Sequence, residues 1–165
     1  MMEIKEVIKV GIADMNICKS PNTIRTSGLG SCVGIIVYDE ERHVCGLAHI
    51  MLPDSSLSRT GTLNIAKYAD TAVKELVQLV QKFGGRSAFL KAKIAGGAQM
   101  FQFSTMNDQM RIGPRNVEAV KNELKKFNIH LVAEDCGGNS GRTIEFDPKT
   151  NLLQIRTVNK GIKNI

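Results

Sequence analysis

With 165 residues, 42% of them hydrophobic and 23% charged, and only four prolines, the chain has the composition of one ordinary globular domain that can bury a core. Lys plus Arg exceed Asp plus Glu by 22 to 16, a net charge of +6 that favours acidic partner surfaces; two Tyr, six Phe and no Trp supply none of the stacking platforms of single-stranded nucleic-acid binders. No apolar run nears the roughly 18 residues of a membrane span, and Met1 to Val10 interleaves Glu3, Lys5, Glu6 and Lys9 with apolar residues, unlike a signal peptide. A cytoplasmic protein with no membrane insertion and no nucleic-acid partner is therefore expected.

Along the chain, Val7 to Ile17 alternates loosely between apolar and polar residues. Cys32 to Tyr38 and Val44 to Met51 are β-branched and apolar, and the charged stretch Asp39 to Arg42 between them reads as a hairpin loop. Pro53 to Gly61 and Gly96 to Gly113 read as long loops. Ile65, Ala69, Ala72, Val73, Leu76, Val80 and Phe83 form one continuous helical stripe, with Gly84 and Gly85 as its stop. A second amphipathic helix runs from about Pro114 or Asn116 to Phe127, with Val117, Val120, Leu124 and Phe127 on its apolar face. Phe89 to Ala95, Ile129 to Glu134, Thr143 to Phe146 and Leu152 to Val158 supply further strands. No repeat and no linker divides residues 1–165, so a single domain is expected. Its class is α/β (α+β), with mixed, largely antiparallel sheets and helices packed on the outer faces.

The cysteines are Cys18, Cys32, Cys45 and Cys136, without a Cys-x-x-Cys pair or a His at zinc-ligand spacing, so neither a metal site nor a disulfide framework is expected. A free Cys in such a chain is by default a small buried hydrophobe. Cys32 stands apart. It follows the glycine-rich turn in Thr26-Ser27-Gly28-Leu29-Gly30-Ser31-Cys32-Val33 and precedes an apolar strand, where glycines let a ligand approach the main chain and amides serve as oxyanion donors. On that segment alone, the buried structural reading still outweighs the nucleophile.

The hairpin shifts that balance. With Asp39 to Arg42 as the loop, Tyr38 pairs with His43 and Cys32 falls opposite His49 on the same face. Opposed Cβ atoms stand about 4.5–5.5 Å apart, which suits a thiol and an imidazole. A neighbouring imidazolium lowers a thiol's pKa and favours the thiolate. His49 sits among apolar neighbours in Ala48-His49-Ile50-Met51-Leu52-Pro53 and is either a hydrogen-bonded core residue or a functional one. His43 and His130 read as solvent-facing or satisfied polar residues, and Cys45, on the predicted face of His49, lacks the glycine turn. A Cys–His pair needs a third group to orient the imidazole. Thr26 is the candidate, through its hydroxyl or its carbonyl, with Asp54 and Asn22 as alternatives.

At these residues the chain resembles the chemoreceptor glutamine deamidase family, CheD, of bacterial and archaeal chemotaxis. Thr26 to Val33 is similar to the family's nucleophile motif, and Ala48 to Pro53 to its histidine motif, with Cys32 and His49 the expected 17 residues apart. Gly96 to Met100, Ile112 to Asn116 and Asp135 to Arg142 follow as three further blocks in the family's order. The resemblance implies Cys32 as nucleophile, His49 as general base and acid, and Thr26 as the residue orienting His49, with no cofactor. It further implies a sandwich-like fold of the cytotoxic necrotizing factor type of cysteine hydrolase. The reaction implied is deamidation of glutamines in methyl-accepting chemotaxis receptors, with glutamyl methylesterase activity at the same site. It also implies a CheC-type chemotaxis phosphatase as partner, so the expected state is a monomer or a heterodimer with that phosphatase.

Gln99, Met100 and Phe101 are candidates for framing the cleft, and equally for loop packing. Three other readings stay open: an adaptor that binds receptor and phosphatase with little deamidation of its own, a cysteine protease or transglutaminase on another scaffold, and, on charge alone, a nucleic-acid binder.

Overall fold

The computed structural model describes residues 4–59, 61–100 and 111–165. In chain order it forms β1 (Val7–Lys9), β2 (Met15–Lys19), β3 (Thr23–Leu29), β4 (Val33–Asp39), β5 (Val44–Ile50), α1 (Ala69–Lys82) and β6 (Leu90–Gly96). Then come α2 (Ile112–Lys126), β7 (His130–Cys136), β8 (Arg142–Asp147), β9 (Leu152–Thr157) and β10 (Gly161–Asn164). The strands make two five-stranded sheets, ordered β1-β3-β8-β9-β10 and β2-β5-β4-β6-β7. Only β1 with β3 and β6 with β7 run parallel among the described residues. Phe101 lies outside the described residues.

The burial pattern explains the layering. β4 and β5 are buried at every position, as a strand must be when both faces of its sheet are covered. On one face Ile36, Tyr38, Cys45 and Leu47 pack against Ile24, Ile144, Phe146, Leu153 and Ile155 of the first sheet. On the other, Val33, Ile35, Val37, Ala48 and Ile50 meet the apolar stripe of α1 and, from α2, Val120 and Leu124. The expected mixed sandwich is thus present, and both helices cover the same face of the second sheet. The outer face of the first sheet carries Arg25, Thr143, Glu145, Gln154 and Arg156 instead.

Several boundaries move for local reasons. Val7 to Ile17 is split between two sheets by the corner at Val10 to Asp14, where Ala13 adopts φ 58°. The helical stripe begins as a single 3-10 turn, Ile65–Lys67, capped by Asn64; Tyr68 is extended, and α1 starts after it. β3 and β10 had no clear strand signature. The hairpin loop is Glu40 to His43, because Asp39 continues the strand opposite Val44. Its buried carboxylate is held by Arg86, which donates from Nε at 2.8 Å and Nη2 at 2.9 Å, and this ion pair keeps the carboxyl well below the usual carboxylate range.

At the end of β6, Gly96 adopts φ 114°, and a methyl group there would collide with the carbonyl oxygen of Cys32. Gly96→Ala is expected to lower stability by about 3 kcal/mol in urea denaturation, combining left-handed strain with main-chain overpacking. An unchanged midpoint would count against this packing.

Candidate active site

The site forms at one end of the space between the two sheets. His49 is fully buried on β5 and pairs with Gly34 of β4. Position 34 leaves no room for a side chain, since a Cβ there would lie 2.6 Å from Ile144 Cδ1. Thr26 reaches across from β3, just before an irregularity in the β3–β8 pairing at Ser27 and Gly28, where Gly28 takes φ 75°.

Thr26 Oγ1 lies 2.7 Å from His49 Nδ1 and 2.8 Å from the Val10 carbonyl oxygen. A carbonyl can only accept, so the single hydroxyl proton goes to Val10 and Nδ1–H must donate to Thr26. In the neutral ring, which burial favours, the lone pair then lies on Nε2. That atom is buried and has no hydrogen-bond partner among the described residues. The hydroxyl of Thr26, not its carbonyl, makes the contact. Asp54 instead caps a 3-10 turn through the Ser56 amide, and Asn22 accepts from the Glu6 amide, so neither alternative orienting residue takes part.

Cys32 lies one residue before β4, half-buried against the core between the sheets. The register corrects the expectation that it stands directly opposite His49. Val33 pairs with Ile50 and Gly34 with His49, so Cys32 is a diagonal neighbour of His49. The offset is two residues, which preserves the face, and diagonal neighbours on one face sit roughly 7–8 Å apart at the backbone. Thiol and imidazole still share one side of the sheet.

The turn carrying Cys32 is held from behind. The carbonyl oxygens of Gly30, Ser31 and Cys32 accept from Ala98 N at 2.8 Å, Asn116 Nδ2 at 2.9 Å and Gly97 N at 2.8 Å. Gly96 in turn accepts from Gly137 N at 3.0 Å and from Arg142 Nη1 at 3.3 Å. The three downstream sequence blocks thus converge on the back of the Cys32 turn. Gly97, Asn116 and Arg142 had no assigned role in the sequence; Asn116 was detectable as a polar residue one helical turn before Val120 and two before Leu124.

Burial pushes the Cys32 thiol up, partly offset by its own main-chain N–H, and pulls His49 down to about 4. Burial thus favours the uncharged thiol and imidazole rather than the thiolate–imidazolium pair expected from the sequence. Such a pair works when the imidazole takes the thiol proton as sulfur attacks, which is general-base-assisted acyl transfer.

The other candidates fall elsewhere. His43 is exposed and bonds through Nδ1 to the Pro148 carbonyl at 3.0 Å, and His130 is exposed. Cys45 and Cys18 are buried and paired in register on β5 and β2, and burial raises the Cys45 thiol. The main-chain N–H of Gln99 donates to the Gly138 carbonyl, and Met100 packs over Gly30, beside the Cys32 turn. Among the described residues no group of three or more His, Cys, Asp or Glu side chains is placed to hold a metal ion. No helix among them is long and apolar enough to cross a membrane.

A sandwich presenting a thiol beside an oriented neutral imidazole is a scaffold fit for cysteine-dependent acyl transfer. The family model described as CheD chemotactic sensory transduction matches residues 51–157. The chemoreceptor glutamine deamidase CheD of Bacillus subtilis strain 168 is 59% identical over 159 residues, covering 96% of each chain. That of Halalkalibacterium halodurans is 56% identical over 160 residues, covering 97% of this chain and 99% of its own. Among solved structures, the Bacillus licheniformis hypothetical protein YfiH superposes with a TM-score of 0.46 at 15% identity, over 74% of this chain and 49% of its own. This chain belongs to the CheD family.

The depressed His49 basicity sets a pH dependence. An unfolded histidine binds a proton near pH 6.5 and the folded one near about 4, so the stabilisation from keeping His49 neutral is complete above 6.5 and lost as pH falls towards 4. The imidazole C–H resonances of His49 should titrate near about 4 by NMR, and thermal stability should fall less between pH 6.5 and 4 in His49→Gln than in the parent. Titration near 6.5 would contradict the buried neutral base.

Proposed function

We propose that this chain is a chemoreceptor glutamine deamidase in which Cys32 is the nucleophile, His49 the general base and acid, and Thr26 the residue that orients His49. The observation that carries the reading is the Thr26 Oγ1 to His49 Nδ1 bond of 2.7 Å, which leaves Nε2 free on the face that Cys32 shares. The names of the relatives support the substrate, and the net charge of +6 suits a receptor surface rich in glutamate.

The chemistry follows from the neutral pair. His49 Nε2 accepts the thiol proton as Cys32 Sγ bonds to the carboxamide carbon of a receptor glutamine. Main-chain N–H groups of the Cys32 turn take the developing oxyanion. The imidazolium then protonates the departing nitrogen, ammonia leaves, and a thioester remains. His49 next removes a proton from water, whose oxygen attacks the thioester; glutamate is released and the thiol is restored. A glutamyl methyl ester presents the same acyl carbon with methanol as leaving group, so methylesterase activity belongs to the same site. Throughout, Nδ1–H stays on Thr26, whose hydroxyl stays on Val10. The enzyme acts in the cytoplasm as one domain over residues 1–165, uses no cofactor, and meets a CheC-type phosphatase as a regulatory partner.

Peptide-resolved mass spectrometry of a receptor cytoplasmic fragment incubated with the protein tests this reading. Glutamine becomes glutamate with the intact chain and not with Cys32→Ala or His49→Ala. Binding of the fragment without conversion would favour the adaptor role instead. Thr26→Val removes the acceptor for Nδ1–H and should lower kcat by about a hundred-fold, whereas Thr26→Ser should retain most of the activity. Equal rates for Thr26→Val and the parent would remove Thr26 from the mechanism.

A further inference from the structure

We propose that Asn116 is a positioning residue for the Cys32–His49 pair, a side-chain rung that carries the β4–β5 ladder one step beyond its last backbone pair. The proposal rests on the reading of Cys32 and His49 as nucleophile and base.

The last ladder pair is Val33 with Ile50, so the next step brings Cys32 towards Met51. There the carbonyl oxygens of Ser31 and Met51 both face α2, and two acceptors cannot bond to each other. Asn116, fully buried near the start of α2, gives one Nδ2 proton to each, both at 2.9 Å. Because both partners are carbonyls, only the nitrogen end of the amide can face them. One bond lands immediately before the nucleophile and the other two residues after the base.

The rest of the amide shows what the residue is for. Its Oδ1 is buried without a partner among the described residues, an arrangement that costs free energy and that a leucine of similar volume would avoid. The two donors are the return on that cost. They have a firm footing, since Gly113 packs so closely on the carbonyls of Gly97 and Ala98 that no side chain fits between. The start of α2 is thereby fixed to the segment that also holds the Cys32 and Gly30 carbonyls. Without the rung, the Cys32 turn and the end of β5 separate at the point where sulfur must face Nε2, and a misplacement of about 1 Å is worth about a hundred-fold in rate.

The test measures alkylation of Cys32 by iodoacetamide, located by peptide mass spectrometry, in the full chain and in Asn116→Leu, each with and without His49→Ala. Receptor deamidation kinetics and thermal melting are followed in parallel. In the parent, His49→Ala should slow alkylation at least about ten-fold, as loss of a general base does. In Asn116→Leu, which removes the donors at nearly constant volume, alkylation should already be slow and His49→Ala should add less than about two-fold, the non-additivity of residues that act as a unit. The kcat for deamidation should fall about a hundred-fold with KM within about two-fold, while melting remains cooperative. Asn116→Ala is read by the same criteria should the leucine variant not fold.

A cooperatively folded variant in which His49→Ala slows alkylation as much as in the parent would overturn the proposal and assign Asn116 to stability alone. No effect of His49→Ala in the parent would overturn the base itself, and the rung's role with it; that arm separates the two failures.

Discussion

One hydrogen bond, from His49 Nδ1 to Thr26 Oγ1, joins the two sheets at the site, and what the site can do depends on it. Thr26 comes from β3 of the first sheet and His49 from β5 of the second, so the bond exists only when the sandwich is closed. The Val10 carbonyl sets its direction by taking the only proton the threonine can give. A carboxylate in the place of Thr26 would stabilise the imidazolium; a hydroxyl orients the ring without holding the charge. Burial accordingly favours the neutral forms of both the imidazole and the thiol.

Around the site, main-chain carbonyls are held by main-chain amides and by two side chains, Asn116 and Arg142. The glycine turn before β4 gives its carbonyls to Gly97, Ala98 and Asn116, and Gly96 is tied by Gly137 and Arg142. The glycines at positions 96, 97 and 113 allow approaches that a side chain would block. Sequence blocks far apart along the chain thus meet behind the turn that carries Cys32.

The proposed nucleophile and base were singled out by local signals: a glycine turn before an apolar strand, and a histidine within an apolar run. The helices were legible from their stripes, although α1 begins four residues later than its stripe because Asn64 caps a separate turn and Tyr68 is extended. What escaped is what another element decides. Asp39 reads as a loop residue until Arg86 is seen on its carboxylate; it pairs with Val44 as part of β4, and the register is two from the expected one. β3, with the sequence Thr-Ile-Arg-Thr-Ser-Gly-Leu, does not read as a buried strand, because its polar groups are satisfied by Glu145, Val10 and His49, which lie elsewhere in the chain. The depressed basicity of His49 likewise depends on burial that no local pattern reports.

The sheet order also has a consequence for synthesis. Thr26, Cys32 and His49 all leave the ribosome within the first third of the chain, yet among the described residues the ladder partners of β3 are β1 and β8, and Thr23 closes onto Glu145, 122 residues later. A nascent chain that has not reached Arg142 carries Thr26, Cys32 and His49 and lacks the strand that pairs with β3 and places Thr26. Pairings of such span form late, since the loop between them must close before the contacts reward it. Cys32 and His49 can therefore meet early across the β4–β5 hairpin, whereas the Thr26 contact that orients the imidazole waits for the strands that complete the first sheet.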